Sequence, residues 1–268
     1  MFNLLRMDLY RMRRGKSVYV CLAILLVGVA VTLGMVSLVA TPQGRELAVR
    51  IGMFTAQDLA EESDVLEGVD TLVMLRQSGI EGGMYNMVFG IWVMLFVCMD
   101  YQSGFIKNIM AVHQNRWKYV AAKIMTAGVV NICYLVMQYV VVLGINRLLG
   151  DMVPMAAFAD VLFYFSWAWL LTTAFAAMVI MVCVWFRSVA AGALAAILFG
   201  TGMIVGPLSS LLNMVHMGAW MRFTIYLTMD MGPGHCASLS DLYVYGVGAG
   251  FLILYASIAG IVLKKQDV

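Results

Sequence analysis

Residues 18–40, VYVCLAILLVGVAVTLGMVSLVA, carry no charged side chain. At about 1.5 Å per residue a helix of this length crosses roughly 30 Å of hydrocarbon. Five more apolar segments follow, at Met84 to Met99, Val120 to Ile145, Phe158 to Phe186, Val189 to Leu212 and Leu242 to Leu263. They predict an all-α integral membrane protein with six transmembrane helices. The segment Met84 to Met99 is short, so the span is expected either to begin earlier, through Gly82 and Gly83, or to lie where the bilayer is thinned.

The loops alternate in charge. Arg6, Arg11, Arg13, Arg14, Lys16, Lys107, Arg116, Lys118, Lys123, Arg187, Lys264 and Lys265 fall on one side, accompanied by Asp8, Asp100 and Asp267. The other side holds 12 acidic residues, eight of them between Glu46 and Glu81. Basic residues near helix ends stay inside, which predicts a bacterial inner-membrane protein with both termini cytoplasmic. Composition agrees: 63% hydrophobic and 12% charged, with mean hydropathy +0.89, against about 25% charged in soluble proteins. No basic cluster beyond the membrane-flanking positions points to nucleic acid. Four of the five cysteines, Cys21, Cys98, Cys133 and Cys183, lie in apolar spans and only Cys236 faces outward, so no internal disulfide framework is expected. The first span lacks a small-x-small cleavage site at Ala40-Thr41-Pro42, which argues against a cleaved signal peptide.

Residues 1–17 form the first unit. Phe2, Leu5, Leu9 and Met12 share one helical face while Arg6, Asp8, Arg13 and Lys16 occupy others, as expected of an amphipathic helix in the headgroup layer. Gly15-Lys16-Ser17 imitates the end of a phosphate-binding loop, but Tyr10 stands where that loop needs glycine and a membrane span follows. The second unit, residues 18–268, contains an acidic outer loop at 41–83 and a cytoplasmic loop at 100–119. Within the latter, Phe105, Ile106, Ile109 and Met110 recur at helical spacing and predict a short helix with one face seeking a partner. Gly104 permits the turn that lays it along the membrane surface.

Asp100, Ser103-Gly104-Phe105-Ile106-Lys107-Asn108, Arg116 and Ala122-Lys123 resemble the coupling loop of permease subunits of ABC-2 type exporters. In that family an acidic residue closing the second span precedes a Ser-Gly-x-Ile-Lys-Asn-like stretch. The position between Ile109 and Gln114 that commonly holds proline there reads Met110-Ala111-Val112-His113 here. The amphipathic lead, acidic first outer loop and six spans extend the resemblance along nearly the whole chain. It implies a transport subunit that pairs with a second permease, identical or homologous. Cytosolic ABC ATPase subunits, carrying the ATP and Mg, would dock on Asp100, Ser103, Gly104, Phe105, Ile106, Lys107, Asn108, Ile109 and Arg116. The chain itself would bind no cofactor or metal and catalyse nothing. The resembled permeases also suggest the cargo, an amphipathic peptide or lipophilic compound.

Inside the membrane, polar groups are costly and draw attention. Asn131 and Gln138 share a face of the third span; interhelical hydrogen bonding is the expected use, with a substrate path that would include Met203 and Met214 as the alternative. Lys123 is expected to snorkel toward the inner surface. Gly192, Ala196 and Gly200, and separately Gly246, Gly250, Ala256 and Gly260, form seams for close helix approach, within one subunit or between two. Gly206-Pro207 is expected to end the fifth span and open a re-entrant element before the sixth. Tyr164, Trp167, Trp169 and Trp185 read as interfacial anchors. Two rival functions remain: a sensor or accessory protein without an ATPase, and an intramembrane enzyme using Glu61-Glu62 with His216 or His235. The enzyme has no HExxH-like spacing to support it.

Overall fold

Apolar length becomes helix throughout the computed structural model, which describes residues 2–40, 42–52, 68–112, 116–215 and 218–266; no strand occurs among them. The chain begins with α1 (Phe2–Arg14), breaks at Gly15, whose N–H donates back to Arg11 and Met12 carbonyls, and enters α2 (Lys16–Ala40). Next come α3 (Pro42–Arg50), α4 (Thr71–Leu75), α5 (Met84–Gln102), the short α6 (Phe105–Val112), and the long α7 (Arg116–Leu148) and α8 (Phe158–Phe186). The last third holds α9 (Val189–Gly200), α10 (Val205–Met214), α11 (Ile225–Met231) and α12 (Tyr243–Lys265). Five of the long helical stretches are apolar enough to cross a membrane, and α9 with α10, bent by 66°, makes a sixth if counted as one broken span. This is an all-α membrane protein.

α8 is the central post, packed by α5, α7, α9 and α12. Its run Leu171 to Ile180 is buried on every side. Small side chains at Thr172, Thr173, Ala174, Ala176 and Ala177 leave room for neighbours all round, which is how one helix accepts several partners in lipid. α2 is peripheral. It buries Cys21, Leu25, Val29 and Leu33, a single i+4 row, against the bundle and exposes Val20, Ile24, Val27 and Val31 on the opposite face. Water would disfavour such a face; hydrocarbon does not.

Several expectations need revision. The segment 41–83 is not simply a loop: α3 occupies its start, and Thr71 onward is packed helix. Asp70 caps α4, its Oδ1 accepting from Leu72 and Val73 N–H at 2.8 Å. A π turn (Arg76–Ile80) and a 3-10 turn (Glu81–Gly83) then lead into α5, with Gly82 and Gly83 at φ 76° and 78°. Of the two alternatives for span two, the helical run takes the earlier start through Gly82 and Gly83, by a kinked approach. Glu61-Glu62 lies outside the described residues. The fifth span breaks earlier than expected, around Gly202 at φ +70°, and not at Gly206-Pro207. Pro207 sits in the first turn of α10, where the missing N–H leaves no hydrogen bond unmade.

The seam on α9 is internal. A Cβ on Gly200 would come within 2.8 Å of Met87 N, one on Gly83 within 2.0 Å of Gly200 O, and one on Gly90 within 2.9 Å of Ala196. On α12, Gly260 receives the Trp117 ring, whereas Gly246 and Gly250 face open space. Tyr164 and Trp167 are fully buried, Trp167 against Gly232 and Tyr164 edge-on to Trp167, rather than anchoring at an interface, while Trp185 is exposed and stacks on Phe186.

Candidate functional site

Two sites emerge, one at the basic end of the bundle and one at the bend between α9 and α10. At the basic end, α1 lies against α7 and brings Asp8 to Lys123. Lys123 has no exposed surface and does not snorkel. Its Nζ lies 3.0 Å from Asp8 Oδ1 and 2.7 Å from Asp100 Oδ2. The Phe96 ring is 3.9 Å from the same ammonium and the Tyr119 ring 5.4 Å. Asp100, also without exposed surface, accepts from Arg11 NH1 at 2.8 Å on its other oxygen and from the Tyr119 hydroxyl at 3.1 Å. Two acids and two bases thus form a neutral set in which each charge has a partner, the condition under which burial is tolerated. Burial pushes the Asp8 carboxyl above its usual value, against the pull of Lys123.

Arg11 does a second thing: its guanidinium lies over the Phe105 ring at 4.7 Å, so the cluster reaches α6. Ser103 caps the end of α5 by donating to Met99 O at 2.6 Å, and Gly104, at φ +66°, makes the turn into α6. The apolar face of α6 has its partner within this chain, since Ile106 and Ile109 are 3% and 5% exposed. Lys107 and Asn108 point outward. Arg116 is committed elsewhere. Its NH1 donates to the carbonyls of Leu263, Lys264 and Gln266, gathering the end of α12 beside the start of α7. Gln266 in turn accepts from Arg187 and donates to Trp185 O, tying in the end of α8.

Asn131 makes the interhelical hydrogen bonds expected of it. Asn131 crosslinks three helices: its Nδ2 donates to Trp169 O, Thr172 Oγ1 and Thr173 Oγ1 on α8, and its Oδ1 accepts from the Tyr85 hydroxyl of α5 at 2.6 Å. Gln138 is buried against Gly79 with neither amide atom hydrogen-bonded. Met203 and Met214, 62% and 80% exposed, lie at the bend and at the far end of α10 instead of joining these amides. What the bend does create is a cavity of about 180 Å³, lined by α5, α8, α9, α10, α11 and α12. Among the described residues no group of three metal-ligating side chains comes together. His113 and His216 lie outside the described residues.

The sequence showed Asp8 and Arg11 as charges of the amphipathic lead and Lys123 as a snorkelling lysine, not their meeting, and it gave no sign of Asn86. One signal was available for the first: a lone lysine inside an apolar span and a lone acid in the amphipathic lead are each costly unless they meet. No protein-family model matches the chain, and no curated protein does.

Proposed function

We propose that this chain is the permease subunit of an ATP-driven exporter of the ABC-2 type. It moves an amphipathic peptide or lipophilic compound out of the cell with ATP hydrolysed by a separate ATPase. The observation that carries the reading is the position of α6. It follows Asp100 directly, lies on the bundle through Ile106 and Ile109, and is joined by Arg11 to the same charge set that holds α1, α5 and α7. A force on α6 therefore passes to the spanning helices through short, paired contacts, as a lever between two states requires. Docking falls to the outward edge, Lys107, Asn108 and Ser103. The chain works in the bacterial inner membrane with both termini inside, beside a second permease. The test is a detergent pull-down of the chain expressed with its genomic neighbours. A P-loop ATPase should co-purify in equal stoichiometry and be lost when Lys107 and Asn108 become glutamate in an otherwise folded chain. Absence of any ATPase after crosslinking would overturn the reading in favour of a sensor or accessory role.

A further inference from the structure

The cavity at the α9–α10 bend is apolar on nearly every side, walled by Phe175, Met178, Leu198, Ile225 and Phe251. Asn86 is the exception. It is 2% exposed, its Nδ2 donates only to the Met229 sulfur at 3.2 Å, and its Oδ1 is buried with no hydrogen-bond partner. The hydroxyl of Thr224, also in the wall, is already committed to Met221 O and Leu227 N–H. An unpaired amide oxygen in such surroundings is costly, and a native fold that keeps one calls for an explanation. Tyr226 and Tyr255 bring the other hydroxyls of the wall, and Asn86 Oδ1 is the buried acceptor among them left without a partner.

An apolar cavity of about 150 Å³ holds a benzene molecule. The volume of about 180 Å³ here suits roughly seven non-hydrogen atoms by the same measure. Phe199 and Leu208 line the cavity and are themselves 44% and 37% exposed, so its mouth is bordered by apolar side chains. The amide is held only by a weak N–H to sulfur contact and can turn about its broad terminal torsion.

We propose that this cavity is a binding site for a lipophilic molecule, or the leading portion of a larger amphiphile, whose single hydrogen-bond donor is received by Asn86 Oδ1. The site needs only this chain in a membrane. Its occupancy is therefore measured without any ATPase, and the export reading and this one fail separately.

The experiment uses the full chain in lipid nanodiscs, irradiated with 3-azioctanol, an aliphatic alcohol bearing a photoreactive diazirine, with labelled residues mapped by mass spectrometry. Labelling is expected to saturate at Phe175, Met178, Tyr226 and Tyr255 and to be competed by 1-octanol roughly tenfold better than by octane. In Asn86→Leu the alcohol label should fall by about tenfold while the hydrocarbon 3-azioctane still labels the same residues. The competition between octanol and octane needs no variant, so it decides the matter even if Asn86→Leu folds poorly. Labelling that never saturates, that spreads over the lipid-facing surfaces of α2 and α7, or that octane competes as well as octanol would overturn the proposal.

Discussion

Lys123 is held by two carboxylates and two aromatic faces at once, and that arrangement fixes what its loss should do. In Lys123→Met the carboxylates of Asp8 and Asp100 stay buried with only Arg11 between them. Breaking a buried pair on one side costs about 3–5 kcal/mol, so the purified variant should unfold at markedly lower denaturant or temperature than the parent. Asp8→Leu with Lys123→Met leaves the neutral Arg11–Asp100 pair. The double variant should recover more than about 1 kcal/mol relative to Lys123→Met, a coupling that a double-mutant cycle reads directly. If the two losses simply add, the pairing does not stabilise the fold. Asp8 also has a pH signature. Its pKa is raised in the folded protein, chiefly by burial, so the folded state binds that proton more tightly than the unfolded chain. Ionised Asp8 is thus a cost at neutral pH that disappears as pH falls through the raised folded value toward the unfolded 3.8. The stability of Asp8→Asn relative to the parent should therefore be greatest at neutral pH and decline toward acid; a difference that is flat with pH would refute this. None of this was legible locally, because Asp8 and Lys123 are 115 positions apart and only packing of α1 across α7 joins them.

At the scale of the helix, α6 separates two roles that the sequence merged. The spacing of Phe105, Ile106, Ile109 and Met110 was visible as an apolar face. Its partner was not, since periodicity says that a face is buried but not against what. With Ile106 and Ile109 turned inward, Ile106→Asp should act on folding: a carboxylate forced into that contact is expected to reduce the yield of monodisperse protein and lower its melting temperature. Lys107→Glu should leave both unchanged and instead abolish ATPase recovery. Equal thermal stability of Ile106→Asp and the parent would mean that α6 is not seated as described. The spans themselves were readable because charge-free length is sufficient to specify a helix in lipid. Their interruptions were less so. The sequence pointed to Gly206-Pro207, yet the bend sits where Gly202 adopts φ +70° and a Cβ would fall 2.3 Å from the Tyr226 ring. Gly202→Ala is therefore expected to destabilise by about 1–3 kcal/mol through backbone strain and displacement of Tyr226. Gly206→Ala, with nothing within 4 Å of its Cβ, should be close to neutral.

Across the whole molecule, contacts at the two ends of the bundle bear on the proposed six crossings. Arg187, closing α8, is hydrogen-bonded to Gln266 beyond α12, so these two helix ends lie together. Ser166, near the start of α8, is hydrogen-bonded to Tyr245 near the start of α12, so the starts lie together as well. The chain therefore leaves Arg187 at one end and must reach Tyr243 at the other. α9 has 12 residues, about 18 Å of helix, too short to make that journey alone, and the bent continuation through α10 is the segment proposed to complete it. The proposed topology, six crossings with both termini on the side of α1, requires the broken pair to be a true crossing. Thiol chemistry tests it with few changes, because Cys133 and Cys236 are the exposed cysteines and Cys133 sits within α7. A membrane-impermeant maleimide applied to intact cells should label Cys236 alone, and Cys236→Ser should abolish the signal. Lys107→Cys in that background should react only after permeabilisation, as should Arg187→Ser carrying Ser188→Cys, beside the end of α8. If Lys107→Cys labels in intact cells while Cys236 does not, the orientation is reversed. If both label from the same side, α9 and α10 form a re-entrant hairpin, and the placement of both termini on one face has to be abandoned.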